Sequence, residues 1–249
     1  MTSDRRPINE VTPLTSMCWS MVNEHFRAAA SLLAALAGCA VFADAARASG
    51  GPPEPASCRF SAFVEETDAA GLNVRAAPSS TAPVLGTLPP VWSDGTGWQV
   101  RIRVTVTAAS NGWFRIRDAA DDEALTGQPA RPVYDGEGWV SGRKLVVKSQ
   151  ASAGRTRPSK DAAASVRFKD ELLFDSDGAI EAGRPVDCRG AWVQIDYDEA
   201  RFPADLRPLL QVSPSARTGL PKGRFRAWLD KICGIQETSC DGPSSLETP

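Results

Sequence analysis

The sequence predicts an all-β protein. Apolar and polar residues alternate in short runs, and breakers are frequent, with 20 glycines and 19 prolines in 249 residues. Period-2 alternation bounded by Gly, Pro and Ser is the pattern of half-buried strands. After residue 48 no amphipathic run of ordinary helical length occurs.

Residues 1–48 read as an address. Arg27 precedes an Ala- and Leu-rich stretch, and Ala46-Arg47-Ala48 offers small residues where a signal peptidase cuts. The apolar stretch is short for a membrane span, which needs about 20 apolar residues. Residues 1–20 are polar and long for a leader, so translation from Met17 or Met21 is expected. Leu36-Ala37-Gly38-Cys39 resembles the lipobox of bacterial lipoproteins; the alternative is that Cys39 is one apolar residue among others, since Ala40, Val41 and Phe42 continue the run. Membrane attachment is expected only if Cys39 is lipidated.

Residues 49–57 are a Gly- and Pro-rich lead-in. A first strand follows over 59–65, with Phe60 and Val64 as its buried residues. Leu72 and Val74 alternate with Asn73 and Arg75; Pro78 stops the run, and a turn of small polar residues leads to Val84 and Leu85. Residues 91–97 read as a loop with a turn at Asp94-Gly95. Val100, Ile102, Val104 and Val106 share one face of the next strand. Asn111-Gly112 is a hairpin turn, with the return strand over 113–117. Residues 118–136 form an enlarged polar loop, and 139–148 close the unit.

Residues 149–165 contain no large apolar side chain and read as a tether. A second unit is expected over 166–240, with strand candidates at 166–174 and Ile180, then at 184–197 and 223–229. A flexible tail, 241–249, ends the chain.

The order LNVRxxP (72–78), VLGTL (84–88), GWFRIR (112–117) and GWVSxxxL (138–145) resembles the bacterial SH3-like (SH3b) domain family. The ending CGIQETSC (233–240) resembles the CGNQ-x-TTC tail of some exported SH3-like proteins. The resemblance implies two small SH3-like β-barrels in tandem after the signal peptide, covering 58–148 and, more divergently, 166–240. It also implies a non-catalytic envelope protein that binds peptidoglycan or its peptide stems. An alternative is an interaction or assembly factor pairing with an envelope protein through a sheet edge; another is a wall hydrolase using a carboxylate pair.

Six cysteines are present, two of them (Cys18 and Cys39) in the leader. An even number in an exported chain suits disulfides, and four cysteines allow three pairings. Cys233 and Cys240 close a short loop and are paired first, which leaves Cys58 with Cys188. The sole histidine, His25, is in the leader, so the mature chain lacks an imidazole for Ser-His-Asp or Cys-His catalysis and for most zinc sites. No cofactor is expected. The net charge of −2 and pI of about 5.6 disfavour nucleic acid.

Asp121, Asp122 and Glu123 form an acidic cluster expected to be solvated surface. Asp175 and Asp177 read as a turn rather than a calcium loop. Ligand contacts are expected from the loop aromatics Trp92, Trp98 and Tyr134, because exposed Trp and Tyr combine apolar area with a polar tip. Trp113, Trp139, Trp192 and Trp228 fall in expected strands and are read as core.

Overall fold

The computed structural model describes residues 54–236. The expected leader, Cys39 and Cys240 lie outside this range. The architecture is almost entirely β-sheet.

The first half contains β1 (Ala56–Val64), β2 (Leu72–Arg75), β3 (Val84–Leu88), β4 (Trp92–Ser93), β5 (Gln99–Val100), β6 (Arg103–Ser110) and β7 (Trp113–Ala120), followed by helix α1 (Glu123–Thr126), β8 (Gly138–Ser141) and β9 (Leu145–Val146). Seven of these strands form one sheet in the order β3-β2-β8-β7-β6-β1-β9, with β4 and β5 paired separately. The alternation read from the sequence is the burial pattern: Leu72 and Val74 are buried while Asn73 is exposed, and Val100, Ile102, Val104 and Val106 are all buried. Asn111 and Gly112 both take positive φ, as a tight two-residue hairpin turn demands.

The second half contains β10 (Lys148–Ser149), β11 (Ala153–Arg155), β12 (Ala164–Phe168), α2 (Asp177–Ala182), β13 (Gly183–Arg189), β14 (Trp192–Asp198), β15 (Leu210–Val212), α3 (Pro214–Arg217), β16 (Arg224–Leu229) and β17 (Ile232–Cys233). Its six-stranded sheet runs β13-β14-β16-β11-β12-β15, and β10 pairs with β17.

Three expectations are corrected here. Residues 149–165 are no tether: β11 and β12 pair within and just beyond them. Ile180 lies on α2, whose N-terminus is capped by Ser176, and not on a strand. The strand expected over 166–174 ends at Phe168.

The misread segment reproduces the opening of the first half. Arg75 Nη1 donates to the Ala82 carbonyl at 2.8 Å, and Arg155 Nη1 donates to the Ala162 carbonyl at 2.8 Å. The Ala76 amide reaches the Pro83 carbonyl at 2.9 Å, and the Thr156 amide reaches the Ala163 carbonyl at 3.0 Å. Both loops carry R-x-x-P-S, at 75–79 and 155–159. The strand pairings repeat as well. β1 with β9 corresponds to β10 with β17, and β2 with β3 to β11 with β12. β2 with β8 corresponds to β11 with β16, β6 with β7 to β13 with β14, and β7 with β8 to β14 with β16.

The two halves share one buried apolar core, running from Phe60, Phe114 and Val140 to Phe168, Tyr197 and Phe225. In the second half the rings of Tyr197 and Phe225 stack at 5.0 Å, and Phe168 meets Phe174 at 5.0 Å. Burying such a ring contributes roughly 1.5–3 kcal/mol. Burial also raises the Tyr197 phenol far above its ordinary pKa.

The start of β1 touches the tip of the β13–β14 hairpin. The Arg59 amide donates to the Gly190 carbonyl at 2.7 Å, and the Gly190 amide donates to the Ser57 carbonyl at 2.9 Å. The Cys58–Cys188 disulfide locks this contact, with Cα atoms 5.7 Å apart. Cys233 is also disulfide-bonded. A disulfide fits an oxidising, non-cytoplasmic compartment.

Candidate functional site

The three loop aromatics go to separate places. Trp98 is exposed and lines a cavity of about 100 Å³ together with Phe63, Ile180 and Arg101. Neither Trp92 nor Tyr134 lines it. Trp92 is half-buried in the small β4–β5 pair, opposite Val100. Tyr134 lies on β3, where a Cβ on Gly86 would overlap its ring. Among the strand tryptophans, Trp139 and Trp228 are buried as expected, whereas Trp113 and Trp192 are only half-buried.

The acidic cluster is not solvated surface throughout. The Asp121 side chain is 1 % exposed and is gripped by Arg131, with Nε at 2.8 Å and Nη2 at 2.5 Å from its two oxygens. Arg131 also donates to the Pro90 carbonyl at 2.6 Å. The Arg131 hydrogen bonds hold the Asp121 carboxyl below its usual range, so it stays ionised. Asp122 caps α1. The geometry is structural: the pair pins the β7–β8 loop to the chain before β4. Among the described residues no group of three or more His, Cys, Asp or Glu side chains could hold a metal ion.

A groove of about 1030 Å³ opens at the junction of the two halves. It is built by three local features. The hairpin turn at Asn111-Gly112 places Trp113 at the groove wall, opposite Ser141. The turn after β8, residues 142–144, sets Arg143 and Lys144 beside it. Strand β13 supplies Arg184 and Pro185 from the second half. Gly142 makes the close approach possible, since a Cβ there would lie 2.5 Å from the Pro185 carbonyl oxygen and 2.6 Å from the Phe114 ring. An adjoining depression of about 530 Å³ shares Trp113, Ser141, Ser80 and Lys144 and extends to Asn73 and Arg75.

The groove is electropositive although the chain is net negative. Arg143, Lys144, Arg184, Arg201 and Arg224 line it, against Glu65 and Asp196. Both carboxylates are shared: Glu65 binds Arg101 at 2.5 Å and approaches Arg184 at 3.9 Å, and Asp196 binds Arg226 at 3.1 Å and Arg224 at 3.6 Å. Lys144 is matched by Glu66 at 2.8 Å. Burial alone would raise the Glu66 carboxyl, but Lys144 and the Asp68 and Thr67 amides outweigh it and hold the group low. Burial, reinforced by nearby Arg201, lowers the Arg184 guanidinium from its ordinary value.

None of these groove cations was singled out in the sequence. Arg143 and Lys144 fall in the unspecified part of GWVSxxxL, and Arg184, Arg201 and Arg224 are distant from them in the chain. The available signal was R-x-x-P-S recurring at 155–159, which marks the second half as a copy of the first.

No protein-family model, curated protein or solved structure matches the chain. Fold and site define an all-β chain with a duplicated strand pattern and a cationic groove between the copies.

Proposed function

We propose that the protein is a non-catalytic binding protein of the bacterial envelope, built from two SH3-like modules, that recognises peptidoglycan or its peptide stems. The observation that carries this is the groove where the repeated halves meet, with Trp113 on its wall and hydrogen-bonding side chains around it. An aromatic face beside polar donors suits a ligand of alternating apolar and polar groups. The recurring R-x-x-P-S loops and strand pairings support the tandem reading, and the disulfides support export. Asp121 is held by Arg131 and Asp122 caps α1, which supports a structural role for both over that of a hydrolase pair.

Co-sedimentation of the full chain with purified peptidoglycan over a salt series tests the reading. Pelleting that persists at high salt supports specific binding, because screening removes purely electrostatic adhesion. Absence of pelleting at every salt concentration refutes it.

A second reading, envelope assembly by sheet-edge pairing, rests on β3. It is the edge of the seven-stranded sheet and exposes Val84 and Leu85. One stoichiometric partner recovered by cross-linking in cells, and lost on Val84→Lys, would favour it.

A further inference from the structure

We propose that Arg143, Arg184 and Arg201 form a carboxylate-binding site in the groove, and that the ligand is a short peptide bearing a free carboxylate. The inference rests on the wall-binding reading and names the part of the wall that is held: a stem peptide, through its carboxylate. Arg184 is the anchor. Its Nε donates to the Arg143 carbonyl at 3.1 Å, and its Nη1 donates to the Glu181 and Gly183 carbonyls at 2.8 and 2.7 Å. These bonds consume three of its five N–H groups. The two on Nη2 meet only Glu65, at 3.9 Å, beyond hydrogen-bond reach. The side chain is 14 % exposed and lines the groove, so its guanidinium is fixed rather than waving in solvent. Arg143 and Arg201 are exposed on the same groove, and among the described residues neither has a carboxylate within 4.0 Å.

An inorganic anion would satisfy the arginines alone. The groove also offers neutral partners beside the arginines: the Ser80 and Ser141 hydroxyls and the Trp113 ring line it. A peptide carboxylate meets the arginines while its amide groups meet the hydroxyls, which can donate or accept, and a stem peptide carries both.

The test is titration of the full chain with a soluble N-acetylmuramyl peptide stem, with the same compound after its carboxylates are amidated, and with polyglutamate. Arg143→Gln/Arg201→Gln is compared with wild type, because both side chains are exposed and their loss leaves the core intact. Expected is binding of the free acid, weakened about tenfold or more by amidation and by the double variant, since a charge-assisted contact is worth about that factor or more. Equal affinity for free and amidated peptide overturns the site. So does polyglutamate binding as tightly as the stem, which would mark a general surface for acidic proteins. Peptidoglycan pelleting unchanged in the double variant also overturns it while leaving wall binding standing. Arginine-dependent stem binding without pelleting keeps the site and removes the wall reading.

Discussion

Gln236 pairs with the main chain of Arg101 through both atoms of its amide. Its Oε1 accepts from the Arg101 N–H at 2.6 Å, and its Nε2 donates to the Arg101 carbonyl at 2.8 Å. The ladder breaks between β5 and β6, and a side chain 135 residues away supplies the missing bonds. The Arg101 guanidinium meanwhile reaches Glu65 at 2.5 Å, Gln99 at 2.8 Å and Glu181 at 3.2 Å. One residue thus ties the first half both to α2 and to the segment after β17.

Gln236→Ala removes both bonds and leaves two largely buried backbone groups without partners. We expect a loss of about 1–3 kcal/mol, read as a lower urea midpoint at unchanged slope. A midpoint equal to wild type would show that water replaces the amide at no cost.

The Asp121–Arg131 pair predicts acid sensitivity. The folded Asp121 pKa is depressed, so its contribution is present above the unfolded value of about 3.9 and is lost as pH falls through the folded value. Asp121→Asn lowers stability at neutral pH by about 3 kcal/mol, the cost of leaving Arg131 uncompensated. The variant's stability also falls less steeply than wild type below about pH 4. Chemical unfolding at several pH values checks both; parallel wild-type and variant curves would refute the coupling.

The Cys58–Cys188 bond closes a loop spanning 130 residues. Replacing both cysteines with serine costs about 2–5 kcal/mol and lowers the midpoint of thermal unfolding. It also releases the β1 end from the β13–β14 hairpin, so the Arg59 and Gly190 amides exchange hydrogen faster. Unchanged exchange at those two positions would mean that the hydrogen bonds hold the contact unaided.

At Gly142 any side chain collides with the Pro185 carbonyl and Phe114. Gly142→Ala is expected to cost about 1–3 kcal/mol as overpacking and to displace Arg143 and Lys144 from the groove. A crystal structure of the variant with the 142–144 turn unmoved would contradict this.

Arg75 and Arg155 occupy equivalent places, so Arg75→Met and Arg155→Met are expected to lose similar stability, about 1 kcal/mol each. The losses add in the double variant, because the two share no partner. Unequal effects would show that the two loops are alike in form but not in energetics.

The strands that could be read were those whose apolar residues alternate. Leu72 with Val74, Val104 with Val106, and Val193 with Ile195 and Tyr197 report one buried face each, because side chains along a strand point alternately to its two faces. β11 hid because its one buried residue, Gly154, has no side chain. Gly154 packs under Ala227, and a Cβ there would lie 2.6 Å from the Ala227 methyl. Composition then resembles a tether although β11 pairs with β12 on one side and β16 on the other. The Asp121 misreading has a similar cause: a carboxylate in a polar loop gives no sign that an arginine ten residues on will enclose it.

By itself, the sequence determined the all-β class and the Asn111-Gly112 hairpin, and it left Cys58 with Cys188 as the remaining pair once Cys233 and Cys240 were joined. These depend on alternation, on backbone sterics and on which cysteines remain, all properties of local chain or simple count. Only the tertiary structure decided that the two halves share one core, that Gln236 completes the backbone at Arg101, and that arginines 143, 184 and 201 face one groove. Those relationships join residues far apart in the chain. Their energies come from burial and charge at distances that no local pattern encodes.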